Sequence, residues 1–159
     1  VVTAGLTTNW YARPADPGPA VEVSVGDVCL TARDAVLVAA LVRALVAMCA
    51  ADLRAGVPAT RASAGLLSAA HWRAAHCGLD GHLIDPRLGV SRPAWQLVDE
   101  LVAAVSPTLL SHGDVEVVVG ELTRLRQVGT GAARQRDIHR RTGDMRAVLT
   151  ELSEHTIAG

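Results

Sequence analysis

Apolar and polar positions along this chain change period early. From Pro19 to Cys29 they alternate: Val21, Val23 and Val25 fall between Glu22, Ser24 and Gly26. A strand sends successive side chains to opposite faces, so this stretch predicts one valine face and one acidic, small, polar face. The valine face is fit to pack on helices. The other meets either bulk water or an active site. Residues 1–20 read as loop: Thr7, Thr8 and Asn9 precede Trp10-Tyr11, and three prolines and a glycine fall within Pro14–Pro19. Arg13 stands just before that rigid turn, where a stiff loop would present it.

After residue 30 the spacing becomes helical. Thr31 predicts an N-cap, with Asp34 at the positive end of the helix dipole. Residues 32–54 are mostly Ala, Val and Leu, and a helix apolar all round predicts burial on all sides. At about 100° per residue Asp34 and Asp52 share a face and Arg43 lies opposite, so a buried Arg43 requires a partner. The run Ala35–Ala51 is short for a membrane span and carries Arg43 at its centre. Gly56 and Pro58 end the helix.

Residues 61–78 predict a second helix, in which His71 and His76 lie about 140° apart, a poor arrangement for sharing a metal. Gly78, Asp80 and Gly81 form a turn, Leu83–Pro86 is extended, and Arg87-Leu88-Gly89 turns again. Pro93 opens a helix with the stripe Trp95, Leu97, Val98, Leu101, Val102 and Val105, which Pro107 breaks or kinks before a short piece to His112. Asp114 is the expected N-cap of a helix over 115–128, with Val118, Leu122 and Leu125 on one stripe. A last helix, about 144–155, puts Met145, Val148, Leu149 and Leu152 inward, and its final residues fray. The fold class is mainly α, with five or six helices packed on one strand or a short hairpin.

Between the last helices lies Gly129-Thr130-Gly131-Ala132-Ala133-Arg134-Gln135-Arg136. Free N–H groups at a helix start, the dipole and nearby arginines favour an anion. The segment lacks the lysine of a phosphate-binding loop and follows no strand, and Gly129 also fits a C-cap. Arg134 and Arg136 are about 200° apart, so at most one faces a site.

Composition narrows the function classes. With 159 residues, 50% of them hydrophobic and 19% charged, the chain can bury a core and is not disordered. A net charge of −1 gives no electrostatic case for nucleic acid or an anionic membrane. All 15 basic residues other than histidine are arginine, which excludes a Schiff-base lysine. With no Phe and one Tyr there is no stacking platform for bases, and no helix is a basic recognition helix. Cys29, Cys49 and Cys77 have no metal-ligand spacing and predict reduced core residues of a cytoplasmic protein. No signal peptide opens the chain, and its start at Val1 suggests a fragment, a processed chain or one part of a split protein.

An ordered set of motifs carries a family resemblance: Arg13-Pro14, Val21-Glu22-Val23, Gly26-Asp27-Val28-Cys29, Val42-Arg43-Ala44-Leu45, His71-Trp72-Arg73-Ala74-Ala75, Leu79-Asp80-Gly81, Asp85-Pro86 and Gly129–Arg136. Together they resemble the C-terminal portion of the bacterial carboxylate–amine ligases, the glutamate–cysteine ligase type 2 family, from about residue 9 to about residue 150. The resemblance implies the C-terminal part of an α+β glutamine-synthetase-like fold. It implies one partial domain over 1–159, with a loop entry at 1–18, a core strand at 19–29 and a helical portion at 32–157. It also implies ATP-dependent amide formation, in which a carboxylate is phosphorylated and an amine displaces phosphate, with magnesium on carboxylates of the strands.

Residue by residue, Glu22 matches the family's metal-binding glutamate and Arg13 an arginine before that strand, a candidate catalytic group. Thr130, Arg134, Arg136 and Arg73 match family motif positions too, as cofactor-binding groups bordering the site or as structural ones. Where the family has arginine two residues after the glutamate, this chain has Ser24; such a loss costs on the order of 10²–10³ in rate. The family's other metal carboxylates lie on N-terminal strands outside this sequence. The chain alone is therefore expected to bind ATP weakly and to be inactive. It requires the missing N-terminal half or an equivalent subunit, alongside small amino-acid substrates, with no nucleic acid or membrane and with a homo-oligomer left open. The alternative is a non-catalytic helical module that keeps the fold.

Overall fold

A computed structural model describes residues 12–15 and 18–158. Of the loop expected over 1–20, residues 1–11, with Trp10 and Tyr11, lie outside them, as do Asp16 and Pro17. Two short hairpins and six helices follow in the order β1 Ala12–Pro14, β2 Val21–Val23, α1 Ala32–Arg54, α2 Ala64–Cys77, β3 His82–Asp85, β4 Val90–Pro93, α3 Ala94–His112, α4 Val115–Val128, α5 Gly131–Thr142 and α6 Met145–Ala158. Each hairpin is antiparallel, β1 with β2 and β3 with β4. The fold is thus mainly α.

The core forms where α1 crosses α3 and α4. Leu37, Ala40 and Ala44 of α1 bury against Val105 and Leu109 of α3 and Val118 and Leu122 of α4. Each fully buried Leu or Val contributes about 1.5–3 kcal/mol. Of the expected α3 stripe, Trp95, Val98, Leu101, Val102 and Val105 belong to or pack against this cluster, and Leu97 does not. Arg126 of α4 lies over the Trp95 ring at 4.7 Å. A second, smaller contact joins α5 and α6 through Ile138 and Val148. In α6 the inner face is Val148 with half-buried Leu152. Met145 and Leu149, expected inward, are exposed because they lie to one side of that face.

Local signals set the helix ends. Thr31 and Asp34 form a full capping box on α1. Gly113 takes the left-handed conformation, φ 73°, and ends α3 with its N–H on Leu109 and Leu110. Asp114 precedes α4 but makes no capping bond. Its carboxylate accepts instead from Arg43 of α1, which is exposed, so the condition that a buried Arg43 would need a partner does not arise.

Several expectations are corrected. Pro107 does not divide α3, which is unbroken over 19 residues. The missing N–H costs one helical bond, and the burial of Val105 and Leu109 on either side offsets it. Arg13 lies on a strand rather than a loop, since pairing with β2 fixes its backbone. The valine face of β2 does not pack on helices: Val21 and Val25 are exposed and Val23 is half-buried. A strand of three residues in a two-stranded hairpin has no second layer to cover it. None of the cysteines is in the core; all three are free, and Cys49 is exposed. Finally, α1 is not buried all round, since Val36, Val38, Leu45 and Leu53 are exposed. Its 23 residues make it long and apolar enough to cross a membrane by length and composition. Its inner face is nevertheless part of the core cluster.

Candidate functional site

The hairpin register puts Arg13 directly opposite Glu22. Arg13 donates from Nε at 3.0 Å and from Nη2 at 2.7 Å to Oε2 of Glu22. Both side chains are about half exposed, 57% and 46%. A pair this wet is worth about 0.2–1 kcal/mol, so it orients two charged groups more than it holds the fold. Among the described residues no group of three or more His, Cys, Asp or Glu is placed to hold a metal ion. One carboxylate already engaged by an arginine does not make a magnesium site, because magnesium takes a near-octahedral oxygen shell. Ser24 follows β2 and is exposed.

Of the other candidate residues, Thr130, Arg136 and Arg73 make hydrogen bonds within the fold, whereas the buried Nε and Nη2 of Arg134 make none. The Thr130 hydroxyl caps α5, accepting from the Ala133 N–H at 3.3 Å. Gly129 is indeed the C-cap of α4, at φ 80°. Arg134 turns toward Asp34, with Nη2 3.9 Å from Oδ2. Arg136 donates to Asp80, tying α5 to the turn before β3. Arg73 donates from Nε to the His82 carbonyl at 3.1 Å, fixing α2 to β3. Thr130 lines a cavity of about 510 Å³ with Asp27, Cys29, Asp34 and Gln135, whereas Arg134 lines another of about 490 Å³ with Arg126, Arg141 and Glu151. Neither is lined by Arg13 or Glu22. The structure therefore brings Arg13 to Glu22 and does not gather Thr130, Arg134, Arg136 and Arg73 around them.

Two ionic networks carry the strongest electrostatics, and sequence reasoning missed both. In the first, Asp85 is fully buried at the end of β3. It accepts from the Arg87 backbone at 2.8 Å, from Arg87 Nε at 3.2 Å and from Arg92 Nη1 at 3.0 Å. Both arginines also reach Glu100 of α3, Arg87 at 2.7 Å. Hydrogen bonds from Arg87 hold the Asp85 carboxyl far below the usual range, against the opposing push of burial. Arg92, then Arg87, lower Glu100. In the second network Arg124 joins Glu121 on its own helix to Asp34 of α1, and Arg33 reaches Glu121 at 2.8 Å. Burial raises Asp34, but hydrogen bonds from Arg124 and Thr31 outweigh it and the net shift is downward. Hydrogen bonding from Arg124 lowers Glu121 although it is buried. These networks fasten β3–β4 to α3, and the start of α1 to α4. Asp85-Pro86 was visible as a motif, but its partners became visible only with the hairpin.

This helical portion, with one exposed Arg–Glu hairpin, matches a ligase family along nearly its whole length. The family model described as "Glutamate-cysteine ligase family 2(GCS2)" matches residues 3–155. The chain belongs to that family. It is 62% identical over 157 residues to a protein of Salinispora tropica named "Putative glutamate--cysteine ligase 2", covering 98% of this chain and 41% of that one. A protein of Salinispora arenicola with the same name is 57% identical over the same shares. "Putative glutamate--cysteine ligase 2-1" of Saccharopolyspora erythraea is 41% identical, over 93% of this chain and 39% of its own length. The chain thus spans about two-fifths of the length of these relatives. No solved structure matches it.

Proposed function

We propose that this chain is the C-terminal portion of an ATP-dependent carboxylate–amine ligase of the glutamate–cysteine ligase type, inactive until the rest of the polypeptide or an equivalent subunit joins it. The observation that carries this reading is the β1–β2 hairpin. It presents Glu22 and Arg13 at the surface on a sheet of two strands, in a chain that spans 41% of its 62%-identical relative. Both the sheet and the set of carboxylates would be completed from outside this chain. Glu22 is then one ligand among several for magnesium, and Arg13 the cation beside it.

In the reaction a carboxylate oxygen attacks the γ-phosphorus of ATP and ADP leaves. The resulting acyl phosphate is attacked by the amine nitrogen, phosphate departs, and the nitrogen loses its proton to a base. Glutamate and cysteine are the proposed acid and amine, by family membership. The part this chain plays is to place one carboxylate and one guanidinium where charge develops. A second reading, a module without chemistry, is favoured by Ser24 in place of the family arginine.

The test is ADP release with ATP, magnesium, glutamate and cysteine, on the chain alone and with the remaining part added. Turnover only in the mixture supports the ligase reading. Silence in both, with the two parts associated and with Ser24→Arg also silent, supports the module.

A further inference from the structure

We propose that the outward stripe of α1 is the surface on which the remaining part of the ligase polypeptide docks. This rests on the reading above and names the surface for it. The stripe is Ala35, Val38, Val42, Leu45, Cys49 and Leu53, in steps of three and four residues, all exposed except half-buried Val42. That spacing aligns them along one side of a helix. Val38 is 47% exposed and Leu53 is 79% exposed, and the stripe carries no charged residue. Only 17% of the most apolar stretch of α1 is buried. A continuous apolar face of this length marks an interaction surface, and its lack of charge keeps the desolvation cost of covering it low.

More than half of the length of each relative lies outside the match. A bilayer is a poorer occupant, because the opposite side of α1 holds Leu37, Ala40 and Ala44 in the core. Midway along the helix, Arg43 is also bound to Asp114 of α4. Immersing α1 in lipid would strip away both. A protein partner needs only the outward side.

Cys49 lies on the stripe, exposed and free, and reports on it directly. The chain is treated with iodoacetamide alone, and again in complex with the polypeptide comprising the part of the Salinispora tropica relative outside the match. Alkylation is read at the Cys49 peptide by mass spectrometry, which separates it from Cys29 and Cys77. Covering the stripe should slow Cys49 alkylation by on the order of tenfold or more, since reactivity needs access. Leu45→Asp and Leu53→Asp, each checked by circular dichroism of the chain alone, should weaken association by roughly tenfold or more.

Association with Cys49 still fully reactive overturns the docking surface and leaves the ligase reading standing. Failure to associate overturns both. Protection of the chain alone that grows with its concentration assigns the stripe to a second copy and overturns the proposal. So does protection by phosphatidylglycerol vesicles in place of the partner.

Discussion

Arg13 and Glu22 face each other across the β1–β2 hairpin, with both Arg13 contacts falling on the same carboxylate oxygen, Oε2. The other oxygen, Oε1, is left outside this pair. The hairpin therefore holds a carboxylate in place without enclosing it, which is consistent with the magnesium-ligand role proposed for Glu22. Glu22→Gln should abolish turnover of the completed ligase. It should leave the folding of this chain nearly unchanged, because an exposed pair is worth at most about 1 kcal/mol and a chain of this size loses only ~2–4 °C per kcal/mol. ADP release and thermal unfolding, measured on one preparation, separate the two effects. A fall in melting temperature much beyond a few degrees would show the pair to be structural.

Asp85 behaves in the opposite way. It is fully buried, and it accepts from Arg87 and Arg92 together. Removing the carboxylate in Asp85→Ala leaves two guanidinium groups sharing Glu100 and opens a void at the end of β3. Its melting temperature should fall by on the order of 10 °C. Asp85→Asn retains the volume but loses the charge, and should fall by less. Thermal unfolding by circular dichroism reads both.

The acidic side of the stability profile follows from the same groups. Asp34, Asp85, Glu100 and Glu121 all have carboxyls held below their ordinary values. A depressed carboxylate contributes stability that is fully present above the unfolded value, about 4, and is lost as pH falls through the folded one. Melting temperature should therefore be insensitive to these groups from pH 6 to 8 and should decline below about pH 4. Asp85, the most depressed, gives up its share last. Glu121→Gln should be less stable at neutral pH and show a shallower acid decline. An acid slope equal to that of the unmodified chain would remove Glu121 from this account.

What the sequence made legible was local. Thr31 and Asp34 lie three residues apart, so their capping box could be read directly. The Val118 and Leu122 stripe and the end of α3 at Gly113 were equally short-range. What it hid depended on distance along the chain. Asp34 meets Arg124 across 90 residues, and Arg136 meets Asp80 across 56. No periodicity announces such pairs. Strand β4, Val-Ser-Arg-Pro, has no alternation and ends in proline, so only its pairing with β3 defines it. The one-sided burial of α1 was illegible for a different reason. An all-apolar helix looks the same whether its second side is covered by this chain or by another. The site was half legible: Arg13 and Glu22 were named separately, and only the register joined them.

Pro107 offers the cleanest test of how packing overrides local preference. It lies inside α3, exposed, two residues from fully buried Val105 and two from Leu109. Proline in a helix interior is about 3 kcal/mol worse than alanine, because it lacks an N–H and its ring crowds the preceding turn. Pro107→Ala restores the N–H and removes the ring without touching the core side chains. It should stabilise the chain by about 1–3 kcal/mol, or roughly 2–4 °C per kcal/mol. Leu109→Ala, two residues further on, should cost about 2–5 kcal/mol. If packing alone keeps α3 continuous, Leu109→Ala should also loosen hydrogen-exchange protection on both sides of Pro107. The double variant should regain that protection, because its helix no longer needs the buried leucine to bridge the gap. Protection that stays low in the double variant would mean that Leu109 holds the helix ends to α1 and α4 rather than holding the helix together.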